Sequence, residues 1–156
     1  MLDELRRLLA RLDGGTDNGG LAVDELRAAT AALLVHAAAI DGHIAAAERA
    51  RLEALLAQHF RLPADEARAL VDEGLRRERE AIDIYSFTRV LQAQLGQEER
   101  RQIVELMWEV VAADREVHPY ESNLVWRAAE LIGVSTRDRV TLRQRVFARH
   151  GIGGGD

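Results

Sequence analysis

The chain contains the stretch Ala39-Ile40-Asp41-Gly42-His43-Ile44-Ala45-Ala46-Ala47-Glu48, and a related stretch follows as Ala112-Ala113-Asp114-Arg115-Glu116-Val117-His118-Pro119-Tyr120-Glu121. Each has an aspartate, then a branched apolar residue, then a glutamate. The matching residues are all 73 positions apart: Asp41 and Asp114, Ile44 and Val117, Glu48 and Glu121. A repeat of this length predicts one structural unit used twice, with each copy covering an apolar face of the other.

Apolar residues recur at helical spacing on both sides of these stretches, which predicts an all-α fold. We expect a single helical domain over residues 21–150, made of two pseudo-symmetric three-helix repeats plus a connecting helix, and preceded by an N-terminal helix. Repeat one covers residues 24–79, the connecting helix 84–95 and repeat two 97–149. The predicted helices of the domain are 24–40, 46–60, 64–79, 84–95, 97–113, 119–132 and 136–149.

The two repeats also agree at apolar positions outside the quoted stretches. The 73-residue offset continues through the second helix of each repeat, and one deletion then reduces it to 72. The pairs are Leu34 and Met107, Leu52 and Val125, and, after the deletion, Leu62-Pro63 and Val134-Ser135. This agreement predicts that each of the three helices in repeat one has a counterpart in repeat two.

The segments at the two ends differ from the repeats in composition. Leucines on one face predict an amphipathic helix over residues 1–13, which a Gly-rich tether follows at 14–20. This helix can dock on the domain, pack against a partner protein, or make peripheral membrane contact through residues 1–12. Residues 151–156 are expected to form a loose tail.

Composition excludes several classes of protein. At 156 residues and 47% hydrophobic content, the chain suits one compact domain. The absence of cysteine removes disulfides, thiolate metal sites and thiol catalysis, and it is compatible with a cytoplasmic location, which we expect. The net charge of −5 argues against nucleic acid as a partner. The nearly apolar run at residues 28–40 is too short to span a bilayer.

The two acidic corners are the candidate functional sites. Asp41 continues the apolar stripe of its helix and faces the unfavourable end of the helix dipole, so a compensating group should lie nearby. In the structural interpretation, Ala45 and His118 are the N-cap residues of the next helices. Pro119 would then occupy the first helical position, and both glutamates the third, where they can bond back to free amides.

Two functional interpretations remain open beside the structural one. The first is a divalent-cation site formed by Asp41, Glu48, Asp114 and Glu121, since oxygen ligands suit Ca²⁺ or Mg²⁺ and a nearby imidazole would favour transition metals. The second uses paired acids as general acid and base. No nucleophile, phosphate loop or metalloprotease pattern accompanies them, so we expect no enzyme, no catalytic residues and no cofactor other than such a cation.

The paired corners and the later Leu131-Ile132-Gly133-Val134-Ser135 resemble the TerB family of tellurite-resistance-associated proteins, over residues 24–147. The runs 84–89 and 106–110 resemble its stand-alone bacterial branch. The resemblance implies an all-helical domain with pseudo-twofold symmetry, and acidic residues suspected of binding a metal or organising a stress-response assembly. In this sequence they are Asp41, Glu48, Asp114 and Glu121. Arg115, where the first corner has Gly42, departs from the pattern.

A few other residues could carry function. His36 and His59 have no ligand partner by spacing, which is typical of histidines at the edge of a core. The mixed charges at residues 76–80 indicate a solvated helix end or a site for an acidic partner. Trp108 and Trp126 could join the repeats, whereas an exposed tryptophan would indicate a binding surface.

Taken together, the sequence predicts a non-enzymatic interaction module with protein partners, in an assembly linked to metal or envelope stress. The alternatives are a carboxylate-dependent hydrolase and a helical adaptor recruited to the inner membrane.

Overall fold

A computed structural model describes residues 3–4, 17–39, 43–113 and 119–152. Residues 17–152, apart from the two gaps between these ranges, form seven helices without a β-strand, which confirms the prediction of a single all-α domain. The helices are α1 (Asp17–Ala38), α2 (Ala46–Phe60), α3 (Ala64–Glu80), α4 (Tyr85–Gln94), α5 (Gln97–Ala112), α6 (Pro119–Ile132) and α7 (Thr136–Arg149).

The helix boundaries follow the predictions closely except at α1. Helices α2, α6 and α7 begin and end at the predicted residues, α3 and α5 begin at the predicted residues, and the remaining boundaries after α1 differ by one residue. Helix α1 begins at Asp17, so the prediction of a tether over residues 14–20 is wrong for residues 17–20. A glycine within a helix costs only about 1 kcal/mol, and the packing of the following turns can outweigh that cost.

Helix α1 is the central helix of the domain. Every residue from Ala28 to Val35 is buried, and α1 contacts α2, α3, α4, α5 and α6. Four of these eight residues are alanines, whose small side chains let neighbouring helices approach on all sides. Thr30 is fully buried, and its hydroxyl donates a hydrogen bond of 2.8 Å to the carbonyl of Leu26. The apolar run in the sequence is therefore a core helix.

Helices α1 and α3 cross at Gly74. A Cβ atom at this position would lie 2.9 Å from both the carbonyl carbon and the Cβ of Ala31. Glycine is therefore required for the close approach of the two helices. At the positions 73 and 72 residues later in the sequence, Val104 of α5 and Val146 of α7 are both fully buried, so side chains are accommodated there.

The α2–α3 and α6–α7 junctions have the same backbone design. Arg61 and Gly133, 72 positions apart, both have positive φ, at 56° and 83°. The following amides of Leu62 and Val134 donate hydrogen bonds of 2.9 Å to carbonyls five residues earlier. This pattern closes the C-terminus of a helix by capping its last carbonyls. The similarity of these two junctions supports the pseudo-symmetric repeat arrangement. The equivalence of the complete repeats stays a prediction.

Helix α7 ends in a third closure of this kind. Gly151 has φ of 69°, and Ile152 donates a hydrogen bond of 2.9 Å to Phe147 and packs against the core. The predicted loose tail at residues 151–156 is therefore wrong for its first two residues, because Ile152 caps the helix and buries apolar surface. Residues 153–156 lie outside the described part of the chain.

The N-terminal helix predicted at residues 1–13 is described only at Asp3 and Glu4, which are helical and exposed. Among the described helices, none combines the length and the apolar character that crossing a bilayer requires.

Candidate functional site

The first acidic corner leads into α2. Ala45 is the N-cap residue with extended backbone angles, as predicted, and its carbonyl accepts a hydrogen bond of 2.9 Å from the amide of Arg49. Glu48 is therefore the third residue of the helix and is half-buried. Ile44, the branched apolar residue of this corner, packs against the core.

The second corner places its glutamate in the same way. Helix α6 begins at Pro119, whose fixed φ suits the first helical position, and Glu121 is the half-buried third residue. Both glutamates therefore lie where the positive end of a helix dipole stabilises a carboxylate by about 0.3–1 kcal/mol. The predicted N-cap residue His118 lies outside the described residues, as does Val117.

The two aspartates of the predicted cation site, Asp41 and Asp114, also lie outside the described residues. Glu48 and Glu121 are each engaged in an interaction. Across the ranges 3–4, 17–39, 43–113 and 119–152, no three histidine or acidic side chains form a group able to hold a metal ion. The described part of each corner thus supplies one carboxylate. Its oxygens fit a hard cation, but the ligand set depends on the aspartates.

The mixed charges at residues 76–80 belong to an ion-pair cluster that joins α1 and α3. Arg77 donates two hydrogen bonds of 3.0 Å to the carboxylate of Glu25, and one of 2.7 Å to Glu73. Arg76 donates to Glu73 at 2.6 Å and to Glu80 at 3.2 Å. These two cations are therefore neutralised within the chain, which supports the solvated helix end and not a site for an acidic partner.

The cluster changes the proton affinity of its members. The hydrogen bond from Arg76, followed by that from Arg77, lowers the pKa of Glu73 to about 2 against the opposing effect of burial. The hydrogen bond from Arg77 lowers the pKa of Glu25, and Glu25 and Glu73 raise the pKa of Arg77. All three groups therefore stay charged at neutral pH, and the cluster acts as a permanent clamp.

In each predicted repeat, a histidine–glutamate pair joins the C-terminal ends of the first and third helices. His36 Nδ1 lies 3.0 Å from Glu78 Oε1, linking α1 to α3. His150 Nε2 lies 2.7 Å from Glu109 Oε2, linking the end of α7 to α5. Because His36 and Glu109 are 73 positions apart, and Glu78 and His150 are 72 apart, the two residue types are exchanged between the repeats.

Short-range spacing does not predict these pairs, because the partners are 42 and 41 residues apart in the sequence. The signal available in the sequence was that a histidine of one repeat stands where the other repeat has a glutamate, and that this happens at both positions of the pair. His59 behaves as predicted for a core-edge residue: its ring meets Phe60 at 4.7 Å in an edge-on contact, and burial lowers its pKa.

The described part of the domain has grooves on its surface, two large ones among them. One, of about 540 Å³, is lined by Asp3, Arg27, Glu66 and residues of α1 and α3. A hydrogen bond with Asp3 raises the pKa of Glu66, so Asp3 contacts α3 here. The other groove, of about 590 Å³, follows the α3–α4 turn. Neither groove is lined by a histidine or by the corner glutamates.

The two tryptophans have different environments. Trp108 is buried and donates a hydrogen bond of 3.3 Å to the carbonyl of Arg139, and its ring meets Phe147 edge-on at 5.6 Å. It therefore joins α5 to α7, inside repeat two. Trp126 on α6 is 46% exposed. An exposed tryptophan is typical of a binding surface, which is the second of the two predicted roles.

Comparison with known proteins gives one match. The family described as Tellurite resistance protein TerB matches residues 27–144, which include both corners and all helices from α2 to α6. No curated protein and no solved structure matches the chain.

Proposed function

The chain belongs to the TerB family of tellurite-resistance-associated domains, and from this premise we propose that it is a non-enzymatic interaction module in a protein assembly linked to metal or envelope stress. The observation that carries this proposal is the equal placement of Glu48 and Glu121, each half-buried at the third position of a helix that follows a duplicated corner. Two equivalent acidic corners on one rigid domain suit it to organising other components.

We further propose that the corners bind a divalent cation weakly. Asp41 and Glu48 would hold it at the first corner, and Asp114 and Glu121 at the second. A bound cation supplies positive charge that neutralises the carboxylates. The carboxylate oxygens favour Ca²⁺ or Mg²⁺, whereas His43 beside the first corner would add preference for a transition metal.

The alternatives have less support. A carboxylate-dependent hydrolase needs acids and a histidine in one cavity, and neither described groove combines a histidine with the corner glutamates. A membrane adaptor would use residues 1–12 on a lipid surface. The contact of Asp3 with Glu66 instead favours docking of this segment on its own domain.

Thermal melting with Ca²⁺, Mg²⁺, Mn²⁺ or Zn²⁺ tests the cation proposal. A ligand at a hundredfold excess over its dissociation constant stabilises the folded state by about 2.7 kcal/mol. We expect one of these cations to raise the melting temperature of the wild type, and Asp41→Asn with Asp114→Asn to remove the rise. Asp65→Asn is the matched control, since Asp65 lies in the first turn of α3 without a corner. A rise that survives the double substitution contradicts the proposal.

A further inference from the structure

Two arginines on α7 lie against aromatic rings. The guanidinium carbon of Arg143 is 4.9 Å from the centre of the Phe147 ring and 5.7 Å from that of Trp108. The guanidinium carbon of Arg139, one turn earlier, is 6.0 Å from the centre of the Trp126 ring. Contacts of this kind hold a guanidinium group in a fixed position and leave its charge intact.

These two charges have little compensation within the described residues. The ion pairs around them use Arg101 and Arg149, whereas neither Arg139 nor Arg143 pairs with a described carboxylate. Burial lowers the pKa of Arg139, Glu130 opposes this effect, and the charge of Arg143 adds to it. The Nε of Arg143 is buried without a hydrogen-bond partner. Both guanidinium groups are thus held in place, and neither forms an ion pair with a described carboxylate that would stabilise its charge.

Packing of the repeat does not require arginine at these positions. With the offset of 72 residues, Ala67 and Val71 of α3 correspond to Arg139 and Arg143 of α7. Ala67 and Val71 are buried and close the equivalent position in repeat one with apolar side chains. Repeat two therefore has two partly buried cations where repeat one has buried apolar side chains. This difference indicates that the arginines have a role other than packing.

The exposed indole of Trp126 completes the surface. It lies beside Arg139 and presents apolar area next to a guanidinium group. Tryptophan and arginine are the residue types most enriched among the energetically dominant positions of protein interfaces, because each combines a large rigid surface with hydrogen-bonding capacity. Two guanidinium groups one turn apart can share an acidic side chain between them.

We propose that Trp126, Arg139 and Arg143 form a docking surface for an acidic segment of a protein partner. A carboxylate of the segment accepts hydrogen bonds from the guanidinium groups, and an adjacent apolar side chain packs on Trp126. Two guanidinium groups match a single carboxylate, whereas a nucleic acid requires many basic side chains along its phosphates. This inference rests on the interaction role proposed above, but it does not depend on cation binding at the corners.

NMR titration with a short synthetic peptide of Asp, Glu and Leu residues tests the proposal. We expect the Trp126 indole and the Arg139 and Arg143 Nε–H resonances to shift, and a peptide with Asn and Gln in place of the acids to cause no shift. Added salt should weaken binding, since the contacts are charged and partly exposed. Arg139→Gln should weaken binding by about tenfold, which is the effect of one lost contact of about 1.4 kcal/mol.

Arg137→Gln is the matched control, since Arg137 is exposed in the first turn of α7, and it should bind as the wild type does. Trp126→Ala, at an exposed position, provides a second variant should Arg139→Gln disturb folding. The proposal is overturned if Arg139→Gln and Trp126→Ala bind the peptide as tightly as the wild type does. It is also overturned if inorganic phosphate causes the same shifts as the acidic peptide. Sedimentation that reveals a dimer sensitive to these substitutions would also overturn it, because the occupant would be a second copy.

The same titration separates this inference from the interaction role. Peptide-induced shifts confined to the corner amides would overturn the docking surface and leave the interaction role standing. Shifts at Trp126 and Arg139 support both.

Discussion

Substitution of Gly74 by alanine tests the close crossing of α1 and α3. The new Cβ would lie 2.9 Å from the Ala31 carbonyl carbon and 3.0 Å from its oxygen, and backbone atoms cannot move aside as a flexible side chain can. Overpacking of a core typically costs about 1–3 kcal/mol. Alanine regains about 1 kcal/mol of helix propensity relative to glycine. We therefore expect Gly74→Ala to lower the free energy of unfolding by up to about 2 kcal/mol.

Urea unfolding followed by circular dichroism measures this difference. The propensity contribution is obtained separately from Ala69→Gly at an exposed position in α3. Val146→Ala, 72 positions later in the sequence, should also be destabilising, by about 2 kcal/mol, because it leaves a cavity in place of a clash. A stabilised Gly74→Ala variant would show that α1 and α3 have room between them, and would refute the reasoning.

Three further substitutions probe the charges and caps. Glu73→Gln should lower stability by about 1 kcal/mol at pH 7, a value reduced for partial exposure. The pKa of Glu73 is about 2 in the folded state and about 4.3 in the unfolded state, so its contribution to stability is present above about pH 4.3 and is lost as the pH falls through about 2. If urea titrations gave the same stability difference between wild type and variant at pH 7 and pH 2, this reasoning would be contradicted. Arg61→Gly should raise stability by about 1 kcal/mol, since its φ of 56° favours glycine, and an unchanged urea midpoint would argue against strain there. Ser135→Ala should lower the melting temperature, with a loss of about 1 kcal/mol, because the hydroxyl accepts a hydrogen bond from the Asp138 amide; an unchanged melting temperature would show that the cap is dispensable.

Much of the fold could be predicted because the helix boundaries carry local signals. Pro63 and Pro119 stand at the starts of α3 and α6, and apolar residues at helical spacing define the helices between them. The start of α1 was misplaced because Gly19 and Gly20 suggest a tether, while the tertiary contacts that extend the helix have no local signature. Similarly, the sequence around Ile152 is typical of a loose tail, whereas in the structure its amide donates a hydrogen bond to the carbonyl of Phe147.

The site was predictable to a smaller extent. Spacing alone placed Glu48 and Glu121 at third helical positions, because N-cap and proline rules are local. The partnership of His36 with Glu78 depends on which helices cross, which no short-range pattern specifies. The surface at Arg139 was hidden for another reason: mixed charges in α7 look like an ordinary solvated face until the rings beneath them are known.

Paramagnetic broadening by Mn²⁺ tests most directly whether the acidic corners bind a cation. With nitrogen-15-labelled protein and a small amount of Mn²⁺, we expect the amide resonances of residues 41–48 and 114–121 to broaden first. Glu48→Gln should reduce the broadening at the first corner and leave the second unchanged. Broadening that instead follows the exposed acids of α3, or that is equal in the variant and the wild type, would contradict cation binding at the corners.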